Sequence, residues 1–203
     1  MEFHEMSNNY ENIRAEFPQV KIVSVTKNHS WSECEFLYRS GARDFGENRI
    51  QKALPKMDEA PKDIAWHFIG NIQSNKVNKI GRRFKLIHSV DSYEIAKKIS
   101  EFSSQKQAIL LQVNISHKHG FTPETLAQEF GQLKELPNLD IQGLMAMAPQ
   151  TTEAGIRETF RTLRNLRDSL NLNELSMGMS DDWRIAIEEG ATIIRLGNYL
   201  FNE

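Results

Sequence analysis

Short apolar runs alternate with longer amphipathic segments along the whole chain. The runs are typical of buried strands, and the segments between them repeat apolar residues at helical spacing. This alternation predicts strand–helix units around a parallel sheet. The predicted strands are Lys21–Lys27, Asp44–Gly46, Ile64–Ile69, Leu86–Val90, Ala108–Asn114, Asp140–Met147, Glu174–Met177 and Thr192–Leu196.

The amphipathic segments predict helices whose starts and ends carry capping signals. Ser92 and Thr122 each place a hydroxyl at a helix start, with acidic residues in the first turn. Gly41 and Gly190 follow the first and last of these helices, where a left-handed residue returns the chain to the next strand. The predicted helices are Asn8–Phe17 before the first strand, then Ser32–Ser40, Ser74–Arg82, Ser92–Ser104, Pro123–Leu136, Glu153–Leu170 and Asp181–Glu189.

The strand count favours a closed (β/α)₈ TIM barrel, an α/β fold, over its structural rival, an open doubly wound sheet. The 203 residues lie at the lower end of the usual barrel size, so we expect one domain over 1–203 with short loops. The N-terminal helix is predicted to pack on the barrel wall. The last strand is followed by few residues, which predicts a truncated C-terminal end with little or no helix after Phe201.

Composition narrows the classes of partner. The formal net charge of −2 gives no general attraction to nucleic acid or to an anionic membrane surface. One cysteine, Cys34, cannot form a disulfide within the chain, and the polar N-terminus lacks the apolar core of a secretory signal. No apolar stretch approaches the roughly 20 residues of a membrane-spanning helix. We therefore expect a cytoplasmic protein.

Lys27 is the first candidate for chemistry, because it closes the apolar run that begins at Lys21. Burial at the mouth of a strand favours the neutral form of an amine. A neutral amine condenses with an aldehyde or ketone, whereas a solvated lysine does so poorly. A lysine at a strand end is more often a solvated terminus, so Lys27 indicates imine chemistry only together with other features.

The loops after the seventh and eighth strands supply those features, since in a TIM barrel these two loops usually form a phosphate pocket at the mouth. In Ser176-Met-Gly-Met-Ser-Asp-Asp182, Gly178 permits close backbone approach and Ser180 offers a hydroxyl and a cap for the next helix. The eighth strand ends with Gly197 and Asn198, which supply an exposed N–H and an amide. A helix cap and a turn glycine explain either loop alone, but their joint position favours a phosphate site.

A phosphate pocket beside a strand-one lysine matches the needs of pyridoxal phosphate, because strands one and eight are neighbours in a closed barrel. Arg195 ends strand eight and is placed to reach the pyridine nitrogen of a ring held between them. Because arginine keeps its proton, that nitrogen would stay unprotonated and the ring would be a weak electron sink. The alternative for Arg195 is an ion pair at the rim with Asp91 or Asp181.

Other polar residues at strand ends, among them Asn48, His67 and His88, are candidates to line the same mouth, and most of them are predicted to be loop or rim structure. His117 and His119 form a His-x-His pair without an evident third ligand, so the sequence favours two solvated imidazoles over a metal site.

With these residues in view, the chain resembles the pyridoxal phosphate homeostasis protein family, whose members are similar to the barrel domain of alanine racemase. The resemblance covers nearly the whole chain. Its motifs are Ser24-Val-Thr-Lys27, Arg43-Asp-Phe-Gly-Glu-Asn48, Trp66-His-Phe-Ile-Gly70, Gln73-Ser-Asn-Lys76, His88-Ser-Val-Asp-Ser92, Gln112-Val-Asn-Ile-Ser116, Gly143-Leu-Met, Met147-Ala-Pro, Leu175-Ser-Met-Gly-Met-Ser-Asp-Asp182 and Arg195-Leu-Gly197.

The resemblance implies a cofactor-binding role for six residues. They are Lys27 as the Schiff-base lysine, Asn48 near the cofactor ring, Arg195 at the pyridine nitrogen, and Ser180, Gly197 and Asn198 at the phosphate. The chain departs from the family pattern at His29, where a second lysine is usual, at Arg49, which replaces tyrosine, and at Asn71, where histidine is common.

The resemblance further implies a protein that binds pyridoxal 5′-phosphate in vitamin B6 homeostasis without efficient catalysis. A racemase needs acid and base groups on both faces of the substrate carbon, and in alanine racemases a second domain, which this chain lacks, supplies one of them. A racemase or decarboxylase, an aldolase that uses Lys27 on a sugar phosphate, and an interaction module stay open as alternatives. We expect a monomer whose partners are the cofactor and the apo-enzymes that need it.

Overall fold

The structure, a computed structural model, describes residues 2–81, 83–115 and 119–201. Eight parallel strands pair in chain order, and β8 pairs with β1 to close the barrel. The closing pair runs in register from Lys21 opposite Ile193 to Ser24 opposite Leu196. The barrel prediction is thereby confirmed over the open sheet. The strands are β1 Lys21–Val25, β2 Asp44–Glu47, β3 Ala65–Phe68, β4 Leu86–Val90, β5 Gln107–Gln112, β6 Leu139–Met145, β7 Glu174–Ser176 and β8 Ile193–Leu196.

Helices cover the outside of the barrel. Ser74–Lys76 is a short 3₁₀ turn that leads into α4, so the single helix predicted there is divided, and Arg82 lies outside the described residues. The helix α3 was not predicted. The α-helices are α1 Glu2–Glu16, α2 Trp31–Arg39, α3 Ile50–Glu59, α4 Val77–Ile80, α5 Tyr93–Phe102, α6 Pro123–Lys134, α7 Glu153–Ser169, α8 Trp183–Glu188 and α9 Asn198–Phe201.

The predicted capping residues hold two of these helix starts. The hydroxyl of Ser92 accepts from the N–H of Ile95, and the hydroxyl of Thr122 accepts from the N–H of Thr125. After α2, Gly41 has φ +94° and its N–H donates to the Tyr38 carbonyl at 3.0 Å. These contacts satisfy backbone groups that the helix ends leave open, so each turn into the next element has a local cause in the sequence.

Two glycines with open space around them should respond in opposite directions to alanine. Neither Gly41 nor Gly131 has an atom within 4 Å of an added Cβ, but Gly41 has positive φ while Gly131 lies inside α6. We expect Gly131→Ala to stabilise the protein by about 1 kcal/mol through helix propensity. We expect Gly41→Ala to destabilise it by about 1 kcal/mol through backbone strain. Urea unfolding midpoints of both variants check this, and a shift in the same direction for both contradicts it.

Two apolar clusters make up the core. The larger one fills the space between the barrel wall and the helices. Tyr10 and Ile13 of α1 belong to it, which confirms a packed N-terminal helix. The smaller cluster faces the barrel axis and consists of Val23, Leu86, Leu110, Met145 and Ile193. Because side chains alternate along a strand, the next inward positions toward the carboxyl ends follow two residues later.

The final described element, α9, is only four residues long. It packs against α1, and Asn9 Nδ2 donates to the Tyr199 carbonyl at 3.0 Å. In the described ranges 2–81, 83–115 and 119–201, none of the helices combines the length and apolarity needed to cross a bilayer.

Candidate functional site

A layer of polar side chains lies directly above the inner apolar cluster, toward the carboxyl ends of the strands. Arg195 follows the cluster residue Ile193 by two positions, and His88 follows Leu86 by two. Both side chains are buried. The barrel therefore changes from apolar to polar just below its mouth, which is the end where (β/α)₈ proteins place their sites.

Arg195 is the buried cation of this layer. Its guanidinium donates from Nη1 to Ser176 Oγ at 2.7 Å and from Nη2 to the Ala146 carbonyl at 3.1 Å. The alternative prediction of a rim ion pair with Asp91 or Asp181 is wrong, because both of these acceptors are neutral groups inside the barrel. Burial lowers the pKa of Arg195 to about 10, although the Asp182 carboxylate partly offsets that effect. The side chain is still charged at neutral pH.

His67 and His88 were candidates for the mouth in a set expected to be mostly loop or rim structure, and neither is a loop or rim residue. Both rings lie inside the barrel, with His67 Nδ1 2.8 Å from His88 Nε2. Burial lowers the pKa of His88 well below its ordinary value, and the neighbouring His67 and Arg195 add to this. Burial also lowers the pKa of His67, although Asp44 acts in the opposite direction. Both imidazoles are therefore neutral at pH 7.

The turn after β8 and the loop after β7 are joined by one hydrogen bond. The N–H of Tyr199 donates to Ser180 Oγ at 3.1 Å. Ser180 does not cap α8 as predicted, since the N-cap residue is Asp182. Its hydroxyl instead lies against the turn that carries Gly197 and Asn198. The three residues predicted to hold phosphate are thus brought together.

Asp182 fixes the loop after β7 through a hydrogen bond to its backbone. Its carboxylate accepts from the N–H of Met179 at 2.5 Å. Burial raises the pKa of Asp182, which this hydrogen bond and the Arg195 charge counteract. Gly178, at φ +91°, lets the chain turn here, and a Cβ would meet the Ala186 side chain at 2.6 Å. The backbone of the loop is therefore fixed on both sides of Ser180.

Lys27 lies just past the end of β1. The N–H of His29 donates to the Thr26 carbonyl at 3.1 Å, which closes a turn with Lys27 at its second position. Lys27 is exposed, and it lines a surface hollow of about 430 Å³ with Lys52 of α3. The prediction that surrounding protein shields this amine from water is therefore wrong in this structure, because Lys27 lies in an exposed turn past the last residue of β1.

Strand register nevertheless places the candidate residues at one level of the mouth. Val25 of β1 pairs with Gly46 of β2, so Lys27 and Asn48 each follow a paired position by two residues. On the other side, Ser24 pairs with Leu196, the residue before Gly197. The six predicted cofactor residues therefore come from the ends of neighbouring strands or from loops bonded to them.

These residues fit a group that carries an aldehyde, a ring nitrogen and a phosphate. Arg195 is a buried cation whose hydrogen-bond acceptors in the described part of the chain are a hydroxyl and a carbonyl. Such a cation keeps its full charge for a ligand. The three atoms nearest to a Cβ added at Gly197 all belong to Val25, at 3.5 to 3.8 Å, which is ordinary van der Waals contact.

Across residues 2–81, 83–115 and 119–201 there is no group of three His, Cys, Asp or Glu side chains placed to hold an ion. His117 lies outside the described residues. The carbonyl of His119 accepts from Gln112 Nε2 at 3.2 Å.

The fold and the mouth define an alanine-racemase-like (β/α)₈ barrel. The family described as alanine racemase, N-terminal domain, matches residues 2–203. A pyridoxal phosphate homeostasis protein from Synechocystis sp. is 44% identical over 201 residues, which are 92% of each chain. The chain belongs to the pyridoxal phosphate homeostasis protein family.

Solved structures agree with this assignment. PipY of Synechococcus elongatus PCC7942, solved with PLP bound, is 37% identical with a TM-score of 0.92, and the match covers 97% of this chain and 99% of PipY. An alanine racemase of Clostridium difficile 630 has a TM-score of 0.80 over 98% of this chain and 56% of its own. At 16% identity the racemase supports the fold alone.

Proposed function

We propose that this chain binds pyridoxal 5′-phosphate and serves intracellular vitamin B6 homeostasis as a carrier with no efficient catalysis. The observation that carries the proposal is Arg195, a buried cation with neutral hydrogen-bond partners at the mouth of the barrel. A cation in that position is costly unless a ligand uses it. The bound PLP of the related PipY structure supports the choice of ligand.

Lys27 is proposed as the attachment point. The cofactor supplies an aldehyde whose carbon bonds to an amine nitrogen with loss of one water. Lys27 follows Val23, the register partner of Arg195, by four residues. The Cα atoms of Lys27 and Arg195 are therefore at most about 18 Å apart, because four residues span about 13 Å and neighbouring strands lie about 5 Å apart. Two long side chains with one aromatic ring between them can span that separation. The Lys27 amine is exposed and is reached from solvent. Its reaction with the aldehyde is therefore proposed to depend on the cofactor being held beside it, and not on burial of the free amine.

The phosphate is proposed to lie in the turn after β8. Ser180 offers its hydroxyl there, and Gly197 and Asn198 offer backbone N–H groups on the same side of the mouth. Asn48, half-buried at the end of β2, is proposed to lie beside the ring. This arrangement holds one end of the ligand through charge-assisted hydrogen bonds and the other through Lys27.

A carrier role follows from the charge state of Arg195. With its pKa lowered only to about 10, the guanidinium keeps its protons at neutral pH and donates to a ring nitrogen without protonating it. An unprotonated ring withdraws electrons weakly, so amino acids that meet the cofactor are not readily converted. The two inner histidines are neutral and engaged with buried partners, which leaves them unsuited as acid and base at the mouth.

The test is a titration of the purified chain with pyridoxal phosphate, followed by absorbance. We expect a visible band that saturates at one equivalent, and no change in the chirality or amount of any added amino acid. A chain that stays colourless, but is trapped by borohydride once a sugar phosphate is added, would be an aldolase. Turnover of an amino acid would make it an enzyme, and neither colour nor trapping would overturn the binding role.

A further inference from the structure

A row of five hydrogen-bonded side chains crosses the inside of the barrel. It runs from Arg195 to Ser176 at 2.7 Å, from Ser176 Oγ to His88 Nδ1 at 2.8 Å, and from His88 Nε2 to His67 Nδ1 at 2.8 Å. His67 Nε2 then lies 2.9 Å from Asp44 Oδ1. The strands β8, β7, β4, β3 and β2 contribute one residue each.

The direction of every hydrogen bond in this row is fixed by its two ends. Arginine has only donors, so Ser176 Oγ accepts from Arg195 and its single hydrogen points to His88 Nδ1. A neutral His88 then carries its proton on Nε2 and donates to His67 Nδ1. His67 in turn donates from Nε2 to Asp44, which as a carboxylate only accepts. Both rings are held in the same tautomer.

We infer that Ser176, His88 and His67 are positioning residues that hold the Arg195 guanidinium toward the ring nitrogen of the ligand. The inference rests on the proposed function for the identity of the ligand. Ser176, His88 and His67 are fully buried, whereas the Asp44 side chain is 26% exposed. The carboxylate of the row itself, Asp44, therefore stands at its outer end, three hydrogen bonds away from Ser176.

This separation has a consequence for Arg195. A carboxylate in direct contact would orient the guanidinium but would also neutralise it. The Ser176 hydroxyl, which is bonded to His88 and through it to His67, orients the guanidinium without neutralising its charge, so that the charge is available to the ligand. Aligned hydrogen bonds also polarise one another in a buried environment, which strengthens the first link. The Asp182 carboxylate also acts on Arg195 electrostatically, and without the row the guanidinium would turn toward that side of the barrel.

The chain offers a matched pair of variants for the test. Ser176→Ala removes one buried hydroxyl that belongs to the row. Ser24→Ala removes one that is equally buried but has no hydrogen-bond partner in the described part of the structure. We expect Ser176→Ala to weaken pyridoxal phosphate binding about tenfold and to shift the wavelength of the visible band, because a charge-assisted hydrogen bond that orients Arg195 is lost. Ser24→Ala should change neither.

The row itself is tested in the ligand-free protein by ¹⁵N NMR of the histidine rings. We expect both rings to be neutral at pH 7 with the proton of each on Nε2, because burial lowers the pKa of His67 and of His88. Asp44, Lys21 and Lys85 act on His67, and His67, Lys21 and Arg195 act on His88. Ser176→Ala and Asp44→Ala should each mix the tautomers, while Ser24→Ala should not. Asp44→Ala is a second variant at a partly exposed site.

The two measurements separate the possible failures. If the tautomers behave as expected but the protein takes up no pyridoxal phosphate, the proposed function fails and the row stands as a structural feature only. If the ligand binds and Ser176→Ala matches Ser24→Ala in affinity and spectrum, the positioning role is overturned. Protonation of either ring at pH 7 would also overturn it, because the directions of the hydrogen bonds would no longer be fixed.

Discussion

Replacing Lys27 by alanine is expected to abolish the attachment of pyridoxal phosphate that borohydride makes permanent. After reduction, the wild-type chain should gain the mass of one phosphopyridoxyl group, since water is lost on condensation, and the variant should gain none. The reason is chemical, because alanine offers no nitrogen to the aldehyde. Lys27 is an exposed turn residue, so the substitution should change the free energy of unfolding by no more than about 0.5 kcal/mol. Loss of labelling would then reflect chemistry and not unfolding.

Lys52 provides the matched control for this experiment. It is also an exposed lysine and lines the same surface hollow as Lys27. Lys52→Ala should be labelled as fully as the wild type, and Lys27→Arg, which keeps the charge, should not be labelled. Equal labelling of Lys27→Ala and the wild type would remove Lys27 from the proposed site. Loss of labelling in Lys52→Ala instead would move the attachment point to α3.

Local sequence signals predicted most of the fold, because they act through contacts within a few residues. The hydroxyls of Ser92 and Thr122 bond backbone N–H groups three positions ahead, so each helix start is set by its own sequence. Closure of the barrel is different. The pairing of β1 with β8 joins residues at opposite ends of the chain, and an open sheet has the same local pattern. Strand count and size favoured the barrel, and only the register settles it.

The helix α3 escaped prediction for a physical reason. Pro55 lies inside it, where proline ordinarily ends a helix, and Lys56 occupies one of its buried positions. Both features hide the amphipathic pattern. The buried lysine is compensated by Glu47 on β2, a partner that is nine residues away and belongs to another element. Local patterns cannot reveal such a partner.

The site was predicted in part. Residues at the ends of β1, β2 and β8 could be identified because parallel strands end at one mouth, and the bond from Tyr199 to Ser180 confirms that two of the loops meet. His67 and His88 were misplaced because their depth depends on the stagger of β3 against β4, which the sequence does not state. The signal that could have found them is their alternation with inward apolar residues such as Leu86.

The buried pair of Lys56 and Glu47 lies directly beneath the turn that carries Lys27. Lys56 Nζ donates to the Thr26 carbonyl at 2.6 Å and to Glu47 Oε1, and the Thr26 hydroxyl donates to the same oxygen at 2.6 Å. The side chains of Lys56 and Glu47 are 6% and 0% exposed. The pair therefore fixes both the carbonyl and the hydroxyl of Thr26, the residue before Lys27.

Lys56→Met should lower the free energy of unfolding by about 3–5 kcal/mol, because it leaves the Glu47 carboxylate buried without its counter-charge. Glu47 Oε2 has no hydrogen-bond partner in the described part of the chain, so this oxygen does not compensate for the loss of the Lys56 charge. Urea unfolding measures the loss. The double variant Lys56→Met with Glu47→Gln should recover most of it, since no charge then remains buried.

Arg39→Ala is the control for this prediction, because it breaks an exposed pair with Glu35 at 3.0 Å and should cost less than about 1 kcal/mol. If Lys56→Met costs no more than Arg39→Ala, the buried pair does not stabilise the barrel as argued. Lys56→Met should also reduce borohydride labelling at Lys27 under conditions where the variant is still folded, because Thr26 is no longer held. Full labelling at normal rate would separate the pair from the site and leave it a purely structural element of the wall.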